Sequence, residues 1–204
     1  MDVSFKIIVA VISVILTLIG YSFYFRDMFS GKTKPHAYSW LVWALLTAIA
    51  FAGQVSDGAG PGAWITGLTA VASFIIFGIA ITSGEKNIVL SDKLNLSGAA
   101  IALLIWFFTK DPVFSIVLIT IIDFLGFIPT IRKSYSKPYE ETLIHYVLAG
   151  IKFLLAIIAL DNYTLTTWLY PASLVLGNLF FVPMLIIRRR QLGSEVQVTK
   201  TNSQ

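Results

Sequence analysis

Residues 20–43, GYSFYFRDMFSGKTKPHAYSWLVW, are matched later in the chain by residues 126–146, GFIPTIRKSYSKPYEETLIHY. The two segments carry related residues in the same order: Gly20 and Gly126, Arg26 and Arg132, Ser30 and Ser136, Lys34-Pro35 and Lys137-Pro138, Ser39 and Thr142, Trp43 and Tyr146. Equivalent positions lie 106 residues apart up to the serine and 103 apart from the Lys-Pro pair onward. Trp64 and Trp168 extend the match at a spacing of 104. In membrane proteins, a duplicated unit of this kind usually frames a central pathway.

The composition predicts a helical membrane protein. Hydrophobic residues make up 56% of the chain and charged residues 13%, and the mean hydropathy is +0.80. Soluble domains carry roughly a quarter charged residues. The apolar runs are too long for strands and lack the alternation of a membrane β-barrel. At about 20 residues for each span, we expect seven helices, at residues 5–25, 38–55, 62–83, 94–109, 113–131, 142–160 and 166–187.

The repeat divides these seven helices into three, one and three. We expect a first three-helix repeat at residues 1–83, a linker helix within 84–110 and a second three-helix repeat at 111–190. The polar residues 191–204 are expected to form a disordered cytoplasmic tail. Since three helices plus a linker restore the original direction across the membrane, the two repeats should be parallel.

The distribution of Lys and Arg predicts the orientation of the chain. One side of the predicted membrane carries Arg26, Lys32, Lys34, Lys86, Lys93, Arg132, Lys133, Lys137, Arg188, Arg189, Arg190 and Lys200, and the other only Lys6 and Lys110. By the positive-inside rule, the N-terminus lies outside and the C-terminus in the cytoplasm, which suits the plasma membrane of a bacterium. Anionic lipid headgroups account for the basic pI near 9.3, so no nucleic-acid partner is needed.

Three ionisable residues fall within predicted spans of the second repeat. Asp123 and Lys152 lie at matching depth, roughly 12–15 Å from the cytoplasmic surface at 1.5 Å per residue. We expect them to pair between consecutive antiparallel helices, directly or through one water, with His145 on the same helix face as Lys152. The strip either lines a pathway for solute or protons, or only fixes helix packing. The repeat places Thr17 and Ile49 at the equivalents of Asp123 and Lys152, so the charges belong to one half.

The two repeated segments resemble the PQ-loop superfamily. That group includes the SWEET sugar transporters, their half-sized bacterial relatives, lysosomal amino-acid exporters and KDEL-receptor relatives. The resemblance rests on the 3+1+3 helix pattern, the N-outside topology and the basic, proline-containing loops after helices 1 and 5. The Pro-Gln dipeptide of the family falls here on Phe23-Tyr24 and Pro129-Thr130, so one of its four residues is present.

The resemblance implies further site residues. SWEET-type carriers hold sugar with an asparagine in helix 3 and another in helix 7; here Asn178 fills the second position and Phe74 the first. An interhelical hydrogen bond is the alternative role for Asn178. Prolines at the cytoplasmic helix ends act as hinges in the family, which points to Pro129 and Pro183; membrane helices also tolerate proline without such a role. Trp40 and Trp43 could stack on an apolar or cyclic ligand, although interfacial anchoring and helix packing explain them more simply.

The sequence gives no indication of an enzyme, a cofactor or a metal site. It has two histidines, no cysteine and no cluster of carboxylates of ordinary metal-binding geometry. Glu140-Glu141 precedes helix 6, where negative charge favours a helix N-terminus. We therefore expect an integral membrane carrier of a small polar solute (a sugar, an amino acid or a vitamin-like compound), working by alternating access. A non-transporting receptor or scaffold on the same fold is the alternative, and a homo-oligomer is left open.

Overall fold

The computed structural model describes residues 2–85, 89–109 and 111–201, and within these ranges the chain is helical, with no strand. Seven α-helices are present there, and short 3-10 turns at Gly60–Ala63 and Pro138–Glu140 precede α3 and α6. The helices are α1 (Val3–Phe29), α2 (Ala37–Ser56), α3 (Trp64–Ser83), α4 (Leu90–Thr109), α5 (Pro112–Ser136), α6 (Leu143–Ile158) and α7 (Leu165–Thr201). Each predicted apolar run corresponds to one of them, so the all-α prediction is confirmed for this part of the chain.

Five of these helices, α1, α2, α3, α5 and α7, are long and apolar enough to cross a membrane. Helix α6 is apolar but has only 16 residues, or about 24 Å at 1.5 Å per residue. A hydrocarbon core is about 30 Å thick, so α6 lies near the lower limit for a span. The chain is an integral membrane protein in which large apolar side chains such as Ile8 and Leu18 remain on the outer surface, where lipid replaces water.

The order of helices in space differs from their order in the sequence. Helix α3 packs against both α1 and α2, and α7 packs against both α5 and α6. The two groups of three meet where α1 contacts α6 and where α2 contacts α5. Helix α4 lies on the outside, against α5 and α2. Consequently α7, and not α6, is the main neighbour of α5 within the second group.

Two glycines mark the contacts between the groups. Gly20 of α1 faces α6, where an added Cβ atom would lie 3.4 Å from Cβ of Leu148. Gly126 of α5 faces α2, where an added Cβ atom would lie 2.7 Å from Cγ1 of Val42. Because the two glycines are equivalent in the sequence repeat, the same residue permits close helix approach at both contacts.

The ends of two helices depart from the predictions. Helix α1 continues to Phe29 and has Ser30 as its C-cap, and the next residue, Gly31, adopts a left-handed φ of 73°. This conformation is typical of the residue that follows a helix C-cap, and it explains a glycine in the longer first loop. Helix α7 continues to Thr201, whereas a disordered tail was expected from residue 191. No proline follows Pro183 to interrupt the helix.

Candidate functional site

A cavity of about 70 Å³ lies in the middle of the bundle and is lined by α1, α2, α3, α5, α6 and α7. A buried water needs roughly 10–15 Å³ of such volume, so the cavity has room for a few waters or a very small solute. All four residues predicted for the binding site, Asp123, His145, Lys152 and Asn178, line this cavity. The structure therefore brings them together, although their role stays a prediction.

Asp123 reaches the cavity from α5 and is 6% exposed. Its Oδ1 accepts a hydrogen bond of 3.0 Å from the hydroxyl of Tyr170 on α7. Its Oδ2 receives no hydrogen bond from the residues that the structure describes. A carboxylate has about four acceptor sites, so Asp123 keeps the capacity to bind a further donor.

Lys152 reaches the same cavity from α6 and is 2% exposed. Its Nζ donates a hydrogen bond of 2.9 Å to Oγ1 of Thr69 on α3. The same Nζ lies 4.7 Å from the ring centre of Tyr21 and 4.8 Å from that of Phe153, within the range of cation–π attraction. The positive charge is therefore held by a neutral hydroxyl and aromatic faces.

Of the two expected forms of the Asp123–Lys152 contact, direct or through one water, the direct one is wrong, and the water-mediated one stays a prediction. In the described part of the chain, neither side chain forms an ion pair with the other, and each has a neutral partner instead. The reason is the position of α7, which packs against both α5 and α6 and separates the two helices that were expected to adjoin. Opposite charges thus line one cavity without contacting each other.

His145 lies about two turns of α6 before Lys152 and is enclosed by aromatic rings. Its ring centre is 4.8 Å from that of Tyr21, 4.8 Å from that of Tyr24 and 6.0 Å from that of Trp40. The predicted common face of His145 and Lys152 agrees with their shared cavity. His145 and the aromatic rings around it together form one wall of the cavity.

Among the described residues, Asn178 has no partner for the interhelical hydrogen bond that was the alternative to a binding role. Its Nδ2 donates a bond of 2.7 Å to the carbonyl oxygen of Leu174, one turn earlier in the same helix. Its Oδ1 is buried and has no hydrogen-bond partner among the described residues. Because an unsatisfied buried acceptor is costly, Asn178 offers the cavity an acceptor that a solute or water can use.

Trp40 is not an interfacial anchor. It is 3% exposed, lines the cavity and donates from Nε1 to the hydroxyl of Tyr24 at 3.1 Å. Trp43 lies beside it, with the two ring centres 5.1 Å apart and the planes at 86°. Stacking on a ligand was the less favoured sequence interpretation of these tryptophans, because interfacial and interior tryptophans have the same local sequence pattern.

A second buried polar group lies between the cavity and the loops that carry the Lys-Pro pairs. Lys133 of α5 forms a buried ion pair with Oε1 of Glu141, and the two side chains are 3% and 1% exposed. Lys133 Nζ also donates to the carbonyl oxygens of Lys34 at 2.5 Å and of Glu140 at 3.2 Å. The sequence suggested that Glu141 stabilises the N-terminus of helix α6. Its main contact is instead with the buried Lys133, whose positive charge the carboxylate neutralises.

This ion pair is linked to the cavity through one tyrosine. The hydroxyl of Tyr146 donates to Oε2 of Glu141 at 3.1 Å, and the ring of Tyr146 lines the cavity. Arg189 of α7 donates to the carbonyl oxygen of Glu141 at 2.6 Å. Helices α5, α6 and α7 and the first loop thus meet at this end of the cavity.

The predicted hinge residues lie inside helices that continue on both sides of them. Pro129 lies within α5 and Pro183 within α7, which also contains Pro171. Next to Pro129, Thr130 is buried and donates to Oγ of Ser39 on α2 at 3.1 Å. Bending at Pro129 would therefore move a contact between the two groups of helices, and the hinge role stays a prediction.

Within the described residues, no three His, Cys, Asp or Glu side chains are grouped closely enough to hold a metal ion. Comparisons of this chain with protein-family models, with curated proteins and with solved structures find no match. What the cavity does must therefore be inferred from its own geometry and chemistry.

Proposed function

We propose that this protein is an integral membrane carrier that moves a small polar solute by alternating access. The observation that carries the proposal is the central cavity, where Asp123, Lys152 and Asn178 meet within an otherwise apolar bundle. Charged side chains within a membrane are costly and usually mark a pathway for a solute or an ion. Their free hydrogen-bonding capacity supports a binding role, since a purely structural group would be fully satisfied internally.

We further propose that the bundle is a 3+1+3 arrangement of parallel repeats, as in the PQ-loop and SWEET proteins that the sequence resembles. The packing supports this arrangement because the third helix of each group lies against the first and the second. The contacts of α1 with α6 and of α2 with α5 are related in the same way. Equivalent glycines, Gly20 and Gly126, occupy those two contacts.

The residues that line the cavity include pairs that are equivalent in the sequence repeat, which further supports the two-repeat arrangement. Four pairs of residues that are equivalent in the sequence repeat both line it: Tyr21 and Phe127, Trp43 and Tyr146, Thr69 and Ser173, Ser73 and Gly177. A site at the interface of two repeats is the arrangement in which one repeat can rock against the other around a bound solute. The charges, by contrast, come from the second group alone.

In the proposed topology, the N-terminus is outside and the C-terminus is in the cytoplasm of a bacterium, as the positive-inside rule favours. The Lys133–Glu141 ion pair would then lie at the cytoplasmic end of the cavity. Opening toward the cytoplasm would require this contact to separate or to move with Pro129. Buried, paired charges are suited to such a role because they favour one arrangement of the helices.

Transport can be tested with purified protein reconstituted into liposomes. We would first identify a ligand by the rise in thermal stability with a panel of sugars, amino acids and water-soluble vitamins, and then measure exchange of the labelled ligand. Asn178→Leu should abolish exchange. The matched control is Phe74→Leu, because Phe74 is the repeat equivalent of Asn178 but is 43% exposed and does not line the cavity.

The outcome separates a carrier from the receptor or scaffold alternative. Saturable exchange that needs Asn178 and tolerates Phe74→Leu would support transport. Ligand binding without exchange would instead identify a non-transporting receptor. If no compound in the panel binds or exchanges with the folded protein, the carrier proposal fails.

A further inference from the structure

The geometry of the cavity points to a small zwitterion as its solute, a molecule whose carboxylate contacts Lys152 and whose ammonium contacts Asp123. This inference rests on the proposed function of the cavity as a solute site, and it narrows the class of solute. Its basis is that one cavity is lined by two buried charges of opposite sign that do not contact each other. A solute with two charged ends can contact both.

Each charge keeps unused hydrogen-bonding capacity. The ammonium of Lys152 has three donors, of which one is used by Thr69. The carboxylate of Asp123 uses Oδ1 for the Tyr170 hydroxyl, and its Oδ2 has no partner among the described residues. Neither Thr69 nor Tyr170 carries a charge, so each partner orients an ion without neutralising it.

Electrostatics then favour a solute with both charges. In a low-dielectric interior, an uncompensated charge is strongly disfavoured. A carboxylate alone would neutralise Lys152 and leave Asp123 uncompensated, and an amine alone would do the reverse. A neutral polyol would compensate neither charge, whereas a zwitterion compensates both and leaves the site neutral.

The remaining lining fits the same molecule. The unpartnered Oδ1 of Asn178 accepts hydrogen bonds only and therefore suits an N–H donor of the ammonium group. The rings of Trp43 and Phe127, with centres 5.4 Å apart, form an apolar wall that tolerates a small side chain. The volume of about 70 Å³ favours a small solute, and alanine is a convenient small zwitterion to represent it.

The inference can be tested on the wild-type protein with L-alanine, the analogues that lack its amine or its carboxylate, and a neutral polyol. L-alanine has both charges, propionate has only the carboxylate, ethylamine has only the ammonium, and glycerol has neither. Titrations followed by thermal stability should give a saturable rise with L-alanine. The three other probes should bind about tenfold more weakly or worse, because each lost charge-assisted contact is worth about that factor.

Two substitutions assign the ends of the solute. Lys152→Met should weaken alanine binding by about tenfold or more and should remove any residual response to propionate. Asp123→Asn should weaken alanine binding by a similar factor and remove the response to ethylamine. Phe74→Leu, outside the cavity, should leave all four responses unchanged. The probe series needs no variant, so it remains decisive if a substituted protein does not fold.

The outcomes distinguish this inference from the carrier proposal on which it rests. If glycerol or a sugar binds and is exchanged while L-alanine is not, the zwitterion inference is overturned and the carrier proposal stands. If propionate or ethylamine binds as tightly as L-alanine, the two-ended contact is likewise overturned. If neither these probes nor any compound of the broader panel binds or exchanges, both proposals fail.

Discussion

The buried pair of Lys133 and Glu141 provides a direct test of the packing where the loop after α1 meets the turn before α6. Lys133 holds together α5, the turn before α6 and the first loop, because its ammonium contacts Glu141 and the carbonyl oxygens of Lys34 and Glu140. In Lys133→Met, the Glu141 carboxylate would stay 1% exposed, with only the Tyr146 hydroxyl on its side-chain oxygens. Removing one partner of a buried pair costs about 3–5 kcal/mol.

The exposed ion pair of Lys34 with Glu140, the residue next to Glu141, provides a matched control. Lys34 forms an ion pair with Glu140 at 3.3 Å, but the side chains are 47% and 27% exposed. Lys34→Met should therefore lower the free energy of unfolding by only about 0–1 kcal/mol. Replacing both partners of the buried pair, as in Lys133→Met with Glu141→Leu, should recover much of the loss, because no unpaired charge is left.

The assay is reversible unfolding of the purified protein in mixed micelles, followed by circular dichroism at increasing denaturant. Lys133→Met should be several times more destabilising than Lys34→Met, because only the first leaves a buried carboxylate unpaired. Equal losses in the two variants would refute it, since they would mean that water reaches Glu141 as easily as Glu140. A double variant no better than Lys133→Met would refute the argument that the unpaired charge causes the loss.

Three further predictions concern helix contacts, a loop ion pair and topology. Gly126→Ala should lower the free energy of unfolding by about 1–3 kcal/mol, because the added Cβ would lie 2.7 Å from Val42. Adding Val42→Ala should recover part of this loss. The control Gly78→Ala should cost nothing, because the space around Gly78 is open. The contact with Glu85 raises the pKa of Lys137. The stabilisation of the folded protein by this contact should therefore be complete below about pH 10.4 and lost as the pH rises through the raised pKa. If wild type and Lys137→Met differ in their free energy of unfolding by the same amount at about pH 12 as at neutral pH, this prediction is contradicted. A reporter at the C-terminus should be cytoplasmic and one in the loop between α2 and α3 external; the reverse would overturn the topology.

Helix positions could be predicted because they depend on a property that is local in the sequence. Each apolar run of about 20 residues must satisfy its backbone internally in lipid, which only a helix does within one segment. The ends were less predictable, since α1 extends to Phe29 and α5 to Ser136. Polar side chains at these ends lie in water or headgroups, where hydropathy no longer reports helix formation.

The order of the helices in space was the main source of error at the site. The pairing of Asp123 with Lys152 assumed that consecutive helices are neighbours, but α7 lies between α5 and α6. The Lys133–Glu141 pair was missed for a related reason. Both residues are in a basic segment next to a loop, where hydropathy and charge counts predict solvated ions, and only the packing of the first loop over Lys133 buries them.

One signal in the sequence could have identified more of the cavity. The register of the repeat places Trp43 with Tyr146 and Thr69 with Ser173, and all four line the cavity. In a bundle built from two related units around an axis, a residue facing that axis has an equivalent that also faces it. Extending the alignment beyond the loops would have added hydroxyl and aromatic residues to the charged strip.

In the proposed arrangement of two repeats, the charged residues can differ between the halves while the residues at the helix contacts do not. At the two contacts between the groups, Gly20 faces the α6 segment that carries His145, and Gly126 faces Val42, the repeat equivalent of His145. Close helix packing needs the glycine in both places, whereas the residue opposite it can be polar or apolar. Helix geometry therefore constrains small residues at the contacts, and it leaves positions 123, 145, 152 and 178 free to carry a site with two unlike ends. A symmetric pair of charges would place like charges across one cavity, which a low-dielectric interior strongly disfavours.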